Sequence, residues 1–324
     1  MDQTLPVHNE NPIEIPKPEL EEPKSSRYVW LKSLGSLAFF IVIGYFFFRR
    51  TTSDPYTAMA LVIVLTVVVV FHELGHFVAM KIYKYRDLGM FFIPLLGAYV
   101  SGTKQEVSQK QSAIILLAGP VPGIILGIIL HFLSIQLDLD FLNSVAWIFI
   151  YLNVLNLLPV YPLDGGQLLH RLFLDDYNIL GKIFVILSVA LMIWVAIASG
   201  YLFLLLFPFM MISRMIGDLQ HERIEKKIEA EGIDLMKSYE ELTAAEYWKL
   251  RNTVIKHYPQ YKDVNPSPPY EISAKEDQII VTIQGLLQRS LIQDLSLTGK
   301  LLILIIWIGF FLAPFLIKNP FIYF

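Results

Sequence analysis

The sequence predicts an all-α polytopic membrane protein, and three observations carry that class. Of 324 residues, 55% are hydrophobic and 13% aromatic against 17% charged, with a mean hydropathy of +0.53, which is the balance of a membrane chain. Apolar runs near the ~20 residues that cross ~30 Å of hydrocarbon recur about seven times. Polar sequence is confined to the start and to one block near the end. A formal charge of −3 leaves no basic footprint, so nucleic acid is not an expected partner. The chain has no cysteine, which excludes disulfides, thiolate metal sites and cysteine nucleophiles.

Residues 1–28 carry Asp2, Glu10, Glu14, Glu19, Glu21 and Glu22 among five prolines. They read as a disordered, acidic, proline-rich tail, without the basic and apolar regions of a signal peptide. The expected spans are 28–48, 56–82, 112–133, 142–158, 179–198, 201–216 and 301–317, with Pro208 kinking the sixth. The organisation expected is a first helix and loop at 29–55, a core at 56–170, a transmembrane hairpin at 171–216 turning at Gly200, a small polar domain at 217–298 and a last helix at 299–324. In the polar domain a helix stops at Gly232, a Thr243–Glu246 capping box opens another ending near Pro259, residues 266–269 (PSPP) break the chain, and 278–283 (QIIVTI) reads as a strand.

Lys81, Lys84, Arg86, Lys104 and Lys110 cluster between the second and third spans, and Arg214, Arg223, Lys226 and Lys227 follow the sixth. The positive-inside rule then puts the N-terminus and 217–298 in the cytoplasm, in a cytoplasmic (inner) membrane, against the contrary pair Arg49-Arg50.

His72-Glu73-Leu74-Gly75-His76 ends the second span. Histidines at i and i+4 share a helix face and can bind one Zn²⁺, with the Glu poised as general base. The same string on a solvated helix would mean nothing. Here that reading buries three ionisable groups in lipid, where such groups mark function. His72 comes about 16 residues into its span, hence ~24 Å from the outer boundary and nearer the cytoplasmic face.

A third ligand must come from elsewhere. His8, His131, His221 and His257 lie in the tail, at the far end of the third span or in the polar domain, and only His170 is level with the motif. Asp164, after the fourth span in NLLPVYPLDGG (156–166), approaches from the same end as His72 and His76. Its prolines unwind the helix and its glycines permit a sharp turn. Taken alone, DGG reads as a helix-ending turn; beside HELGH, His72, His76, Asp164 and one water complete a four-coordinate catalytic zinc site.

Together HELGH and NLLPVYPLDG resemble the site-2 protease family of intramembrane zinc metalloproteases, over about a third of the chain. The resemblance implies a three-helix core in which His72, His76 and Asp164 hold one zinc, Glu73 is the catalytic carboxylate and Asn156 helps hold substrate. It also implies that Ala118–Gly123 (AGPVPG) lies on the middle core helix and that 88–102 forms a small membrane-embedded β-hairpin; from composition alone that segment is equally an interfacial loop. The activity implied is zinc-dependent hydrolysis of peptide bonds within or near the transmembrane helix of a membrane-protein substrate in the lipid bilayer. The competing reading is a catalytically silent pseudoprotease or membrane chaperone that binds client helices. A di-iron desaturase would need clustered His boxes, and neither Gly-x-Ser-Gly nor Gly-x-Gly-Asp occurs for serine or aspartyl chemistry.

Overall fold

The computed structural model describes residues 16–19, 26–94, 97–104, 107–174, 178–230, 232–235, 237, 239–266, 272–287 and 292–317. Most of the expected tail, and all but the first residue of PSPP, lie outside these. The chain divides into two compact units, 23–214 with 291–324, and 1–22 with 215–290.

In the larger unit α1 (Ser26–Thr51) and α2 (Pro55–Ile82) are separated by a short turn. Asp54 starts α2: its carboxylate accepts the amides of Tyr56 and Thr57, and Pro55 occupies a position whose missing N–H costs nothing. Next come β1 (Arg86–Ile93) and β2 (Gly97–Thr103), an antiparallel pair with Met90 opposite Val100 and Phe91 opposite Tyr99. The implied hairpin is therefore present, and it packs against α1: the Phe92 amide donates to Ser36 Oγ at 3.1 Å, and Phe92 meets Phe40 at 6.0 Å.

The third apolar run is two helices, α3 (Gln109–Ala118) and α4 (Pro120–Leu137), joined at Gly119. Asp138 in a left-handed conformation ends α4, and α5 (Asp140–Asn156) folds back along it. A turn with a cis Tyr161-Pro162 bond leads to α6 (Asp164–Leu169), a π-helical turn at His170–Leu174, and α7 (Asn178–Ser199). Gly200, at φ +74°, makes the expected tight turn. A 3₁₀ turn at Leu202–Leu205 and α8 (Leu206–Ala230) follow. Pro208 does not kink a helix as expected: it lies in the first turn of α8, where no intrahelical bond is lost.

Among the described residues, five helical segments are long and apolar enough to cross a membrane: Val29–Thr51, Pro55–Ile82, Gln109–Leu137, Ile179–Ser199 and Leu297–Leu316. The other two expected spans are the 17-residue α5 and the shorter apolar stretch Leu202–Gly217. The first, third and last spans also extend a few residues beyond the expected limits, because polar residues such as Gln109 continue the helix.

The smaller unit buries Ile228, Tyr247, Leu250, Val254, Ile279 and Ile283 around one core. Gly232 at φ +76° follows α8, and the capping box of Thr243 and Glu246 opens α9 (Ala244–His257), both as expected. Residues 278–283 are not a strand. They belong to α10 (Glu276–Leu286), which buries Ile279, Ile280, Ile283 and Leu286 while Val281 is 66% exposed. Those buried positions fit one helix face, and Glu276 and Asp277 suit its first turn. The larger unit is completed by α11 (Leu297–Leu316), whose Trp307 indole donates to the Leu157 carbonyl at 2.9 Å.

Candidate metal centre

His72 and His76 leave one face of α2, a turn apart, and their Nε2 atoms lie 3.1 Å from each other. Asp164 Oδ2 lies 3.1 Å from His72 Nε2 and 3.3 Å from His76 Nε2. All three side chains are buried. The three predicted ligands therefore converge, while His170, the other level histidine, stands apart against Tyr161, and His131 is bonded to Asn143 at 2.8 Å.

Local packing explains the convergence. A Cβ at Gly75 would fall 1.9 Å from the Ala118 carbonyl oxygen, and one at Gly119 would fall 2.3 Å from His76 Nε2. Those glycines let α2 press against the α3–α4 junction. Asp164 is the first residue of α6 and starts a helix rather than ending one. Gly165 and Gly166 serve this by having no side chain and not by turning: a Cβ would lie 2.1 Å from the Leu157 oxygen and 2.3 Å from the Val160 carbonyl carbon respectively. Neither has a positive φ.

Both imidazoles are oriented from behind. His72 Nδ1 lies 2.7 Å from Asn153 Oδ1, and His76 Nδ1 lies 2.7 Å from the Ile115 carbonyl. The Asn153 amide nitrogen donates to the Phe149 carbonyl at 2.7 Å, which fixes its oxygen toward His72. Each Nδ1 faces an acceptor, so each carries the hydrogen there and leaves Nε2 as a lone pair. Two such lone pairs and a carboxylate oxygen then meet. Asp164 Oδ2 is buried without a hydrogen-bond partner. Three acceptors with no donor call for a cation. Bonds of ~2.0–2.1 Å to a tetrahedral metal separate ligand atoms by roughly 3.3 Å, close to the spacings here. A metal ion fits these residues.

Glu73 is buried at 6% exposure outside the converging set, and the backbone amide of Val100 on β2 interacts with its carboxylate. Asn156, by contrast, is half-buried and donates to the Leu152 carbonyl at 3.2 Å. The asparagine touching the centre is Asn153, which sequence reading passed over. Its signal was a second asparagine in an otherwise apolar run, three residues before Asn156.

Residues 60–139 match the family model for peptidase family M50. A zinc metalloprotease of Methanocaldococcus jannaschii is 30% identical over 125 residues, covering 37% of this chain and 36% of that protein. Stage IV sporulation protein FB of Bacillus subtilis is 30% identical over 117 residues, covering 36% and 41%. The matched stretch thus spans under half the length of these curated relatives. Among solved structures, the site-2 protease from Methanocaldococcus jannaschii overlaps 54% of this chain and 84% of its own, at 23% identity and a TM-score of 0.42.

Proposed function

We propose, from the match of residues 60–139 to peptidase family M50, that this chain is a zinc-dependent intramembrane endopeptidase of that family. The observation that supports this most is the meeting of His72 Nε2, His76 Nε2 and Asp164 Oδ2 without a donor among them. These three would hold one Zn²⁺. When bound, the ion supplies Lewis acidity and a water acidified toward ~7.

The remaining work belongs to side chains. Glu73 takes the proton of the attacking water as its oxygen bonds to the scissile carbonyl carbon. The same carboxyl then gives that proton to the amine nitrogen as the C–N bond breaks. Asn153 and the Ile115 carbonyl keep both imidazoles in the tautomer that presents Nε2. Substrate helices must unwind locally, because helical carbonyls are already hydrogen-bonded. The β1–β2 hairpin, whose Val100 amide neighbours Glu73, offers backbone for pairing with the unwound segment. Asn156 would assist at the substrate. Substrates on this reading are membrane proteins with a transmembrane helix, and the enzyme is a multi-pass protein of the cytoplasmic membrane with its N-terminus and 217–298 in the cytoplasm.

The test compares membrane-protein fragments in cells carrying the wild-type chain and Glu73→Gln. Fragments ending within predicted transmembrane helices should accumulate only with wild type. Identical fragment sets would remove the protease reading.

A further inference from the structure

Lys17 is gripped by a turn more than two hundred residues away. Its ammonium donates at 2.8 Å to each of three carbonyl oxygens, those of Tyr239, Glu240 and Leu242. The ammonium also stands 5.2 Å from the centre of the Tyr239 ring, within cation–π range. Beside it the Tyr239 hydroxyl donates to the Pro18 carbonyl at 2.9 Å. Residues 239–242 form a turn closed by the Leu242 amide on the Tyr239 carbonyl, immediately before the Thr243 cap of α9.

The chemistry of this cradle is selective. An ammonium has three donors and no acceptor, and three carbonyls satisfy it completely. Prolines on either side of Lys17 restrict the segment to an extended backbone, so little entropy is lost on docking. Tyr239 is 3% exposed, and burial, with Glu276 nearby, pushes its phenol up to about 12, so it remains a donor to Pro18. Its ring packs on Tyr247 at 5.8 Å, and Tyr247 donates to the buried Glu276 at 2.6 Å. The cradle is therefore built on the core of the smaller unit.

We propose that residues 239–242 are a recognition site for an extended lysine flanked by prolines, occupied by the chain's own Pro16–Glu19. The N-terminal segment is then a strap held by the charge of one side chain. Acetylation of Lys17 removes that charge and two of its three donors, and releases the strap.

The test uses the full chain in nanodiscs. Glu19 is exposed and the protein has no cysteine, so Glu19→Cys takes a single spin label without background. The label should be immobilised when residue 17 is Lys and mobile when it is Gln, the mimic of acetyl-lysine. Equal mobility in both, high or low, overturns the proposal. A synthetic peptide of residues 12–22 should also bind the Lys17→Gln chain at least ~10-fold more tightly than the same peptide acetylated at its lysine, the least expected for charge-assisted hydrogen bonds. Equal binding, or none by either peptide, overturns the assignment of the site. Neither measurement depends on peptidase activity.

Discussion

Gly123 on α4 and Asn153 on α5 approach so closely that a Cβ at position 123 would lie 2.3 Å from Asn153 Nδ2. The glycine thus makes room for the amide that orients His72, and Asn153 itself is fully buried. Gly123→Ala should displace that amide without touching a ligand. Zinc affinity, measured by chelator competition, should fall by roughly 10–100-fold, as for loss of other groups that orient ligands. Gly35→Ala, with nothing within 4 Å of the new Cβ, is the control and should leave affinity unchanged. Equal affinities for the two variants would show that Asn153 does not orient the site.

Metal content tests the ligand set directly. His72→Ala, His76→Ala and Asp164→Asn should each lose most of the single zinc expected per chain, since each removes or weakens one of three protein ligands. Elemental analysis of purified protein reads the result. Stoichiometric zinc in His72→Ala would remove that residue from the site.

Glu73 should separate catalysis from metal binding. Glu73→Gln keeps the volume and loses the base, so zinc should stay at wild-type occupancy while cleavage of a helical membrane substrate falls at least ~10²-fold. Cleavage at the wild-type rate would leave the client-binding reading in possession of the field.

Acid should act on the smaller unit through a different group. Arg251 is 0% exposed and donates from Nε to Glu276 Oε1 at 2.7 Å and from Nη2 to Oε2 at 2.8 Å. Burial raises the Glu276 pKa, but the bonds from Arg251 and Tyr247 outweigh it and hold the carboxyl below its ordinary 4.5. A lowered folded-state value contributes stability that is fully present above the ordinary pKa and is lost as pH falls through the folded one. Hydrogen-exchange protection of α9 and α10 should therefore fade below about pH 4.5, and Glu276→Gln should flatten that dependence. Arg251→Met should cost about 3 kcal/mol or more at neutral pH, because it strands a buried carboxylate. Protection independent of pH in both proteins would contradict the assignment.

Chemistry was legible in the sequence wherever residue type and spacing determine it. His72 and His76 share a face by helical period, and Asp164 could be ranked by the end of the helix it follows. Asn153 stood out as a polar residue in an apolar run, but its role was not legible, because it depends on a neighbour thirty residues away having no side chain. Gly165 and Gly166 were read as a turn because sequence shows conformational freedom but not the Leu157 and Val160 backbone they must clear. The run 278–283 misled for another reason: six residues rich in Ile and Val fit a strand or a buried helix equally well, and packing of Ile279 and Ile283 into the small core decided it. The seventeen residues of α5 marked the limit of counting by length.

The hold on Lys17 has a consequence in topology as a mathematician uses the word. A thread whose two ends meet on one side of a sheet must have pierced that sheet an even number of times. If Pro16–Glu19 rests on residues 239–242, the chain between them crosses an even number of times. The segments 29–51, 55–82, 109–137 and 179–199 are long and apolar enough for four crossings. The helix α5 retraces α4, with Asn143 beside His131 at one end and Asn153 beneath Gly123 at the other, so a crossing by α4 implies a return by α5. On the proposed topology Leu202–Gly217, too short to declare itself, would then have to cross as well, with 297–316 leading to the opposite face.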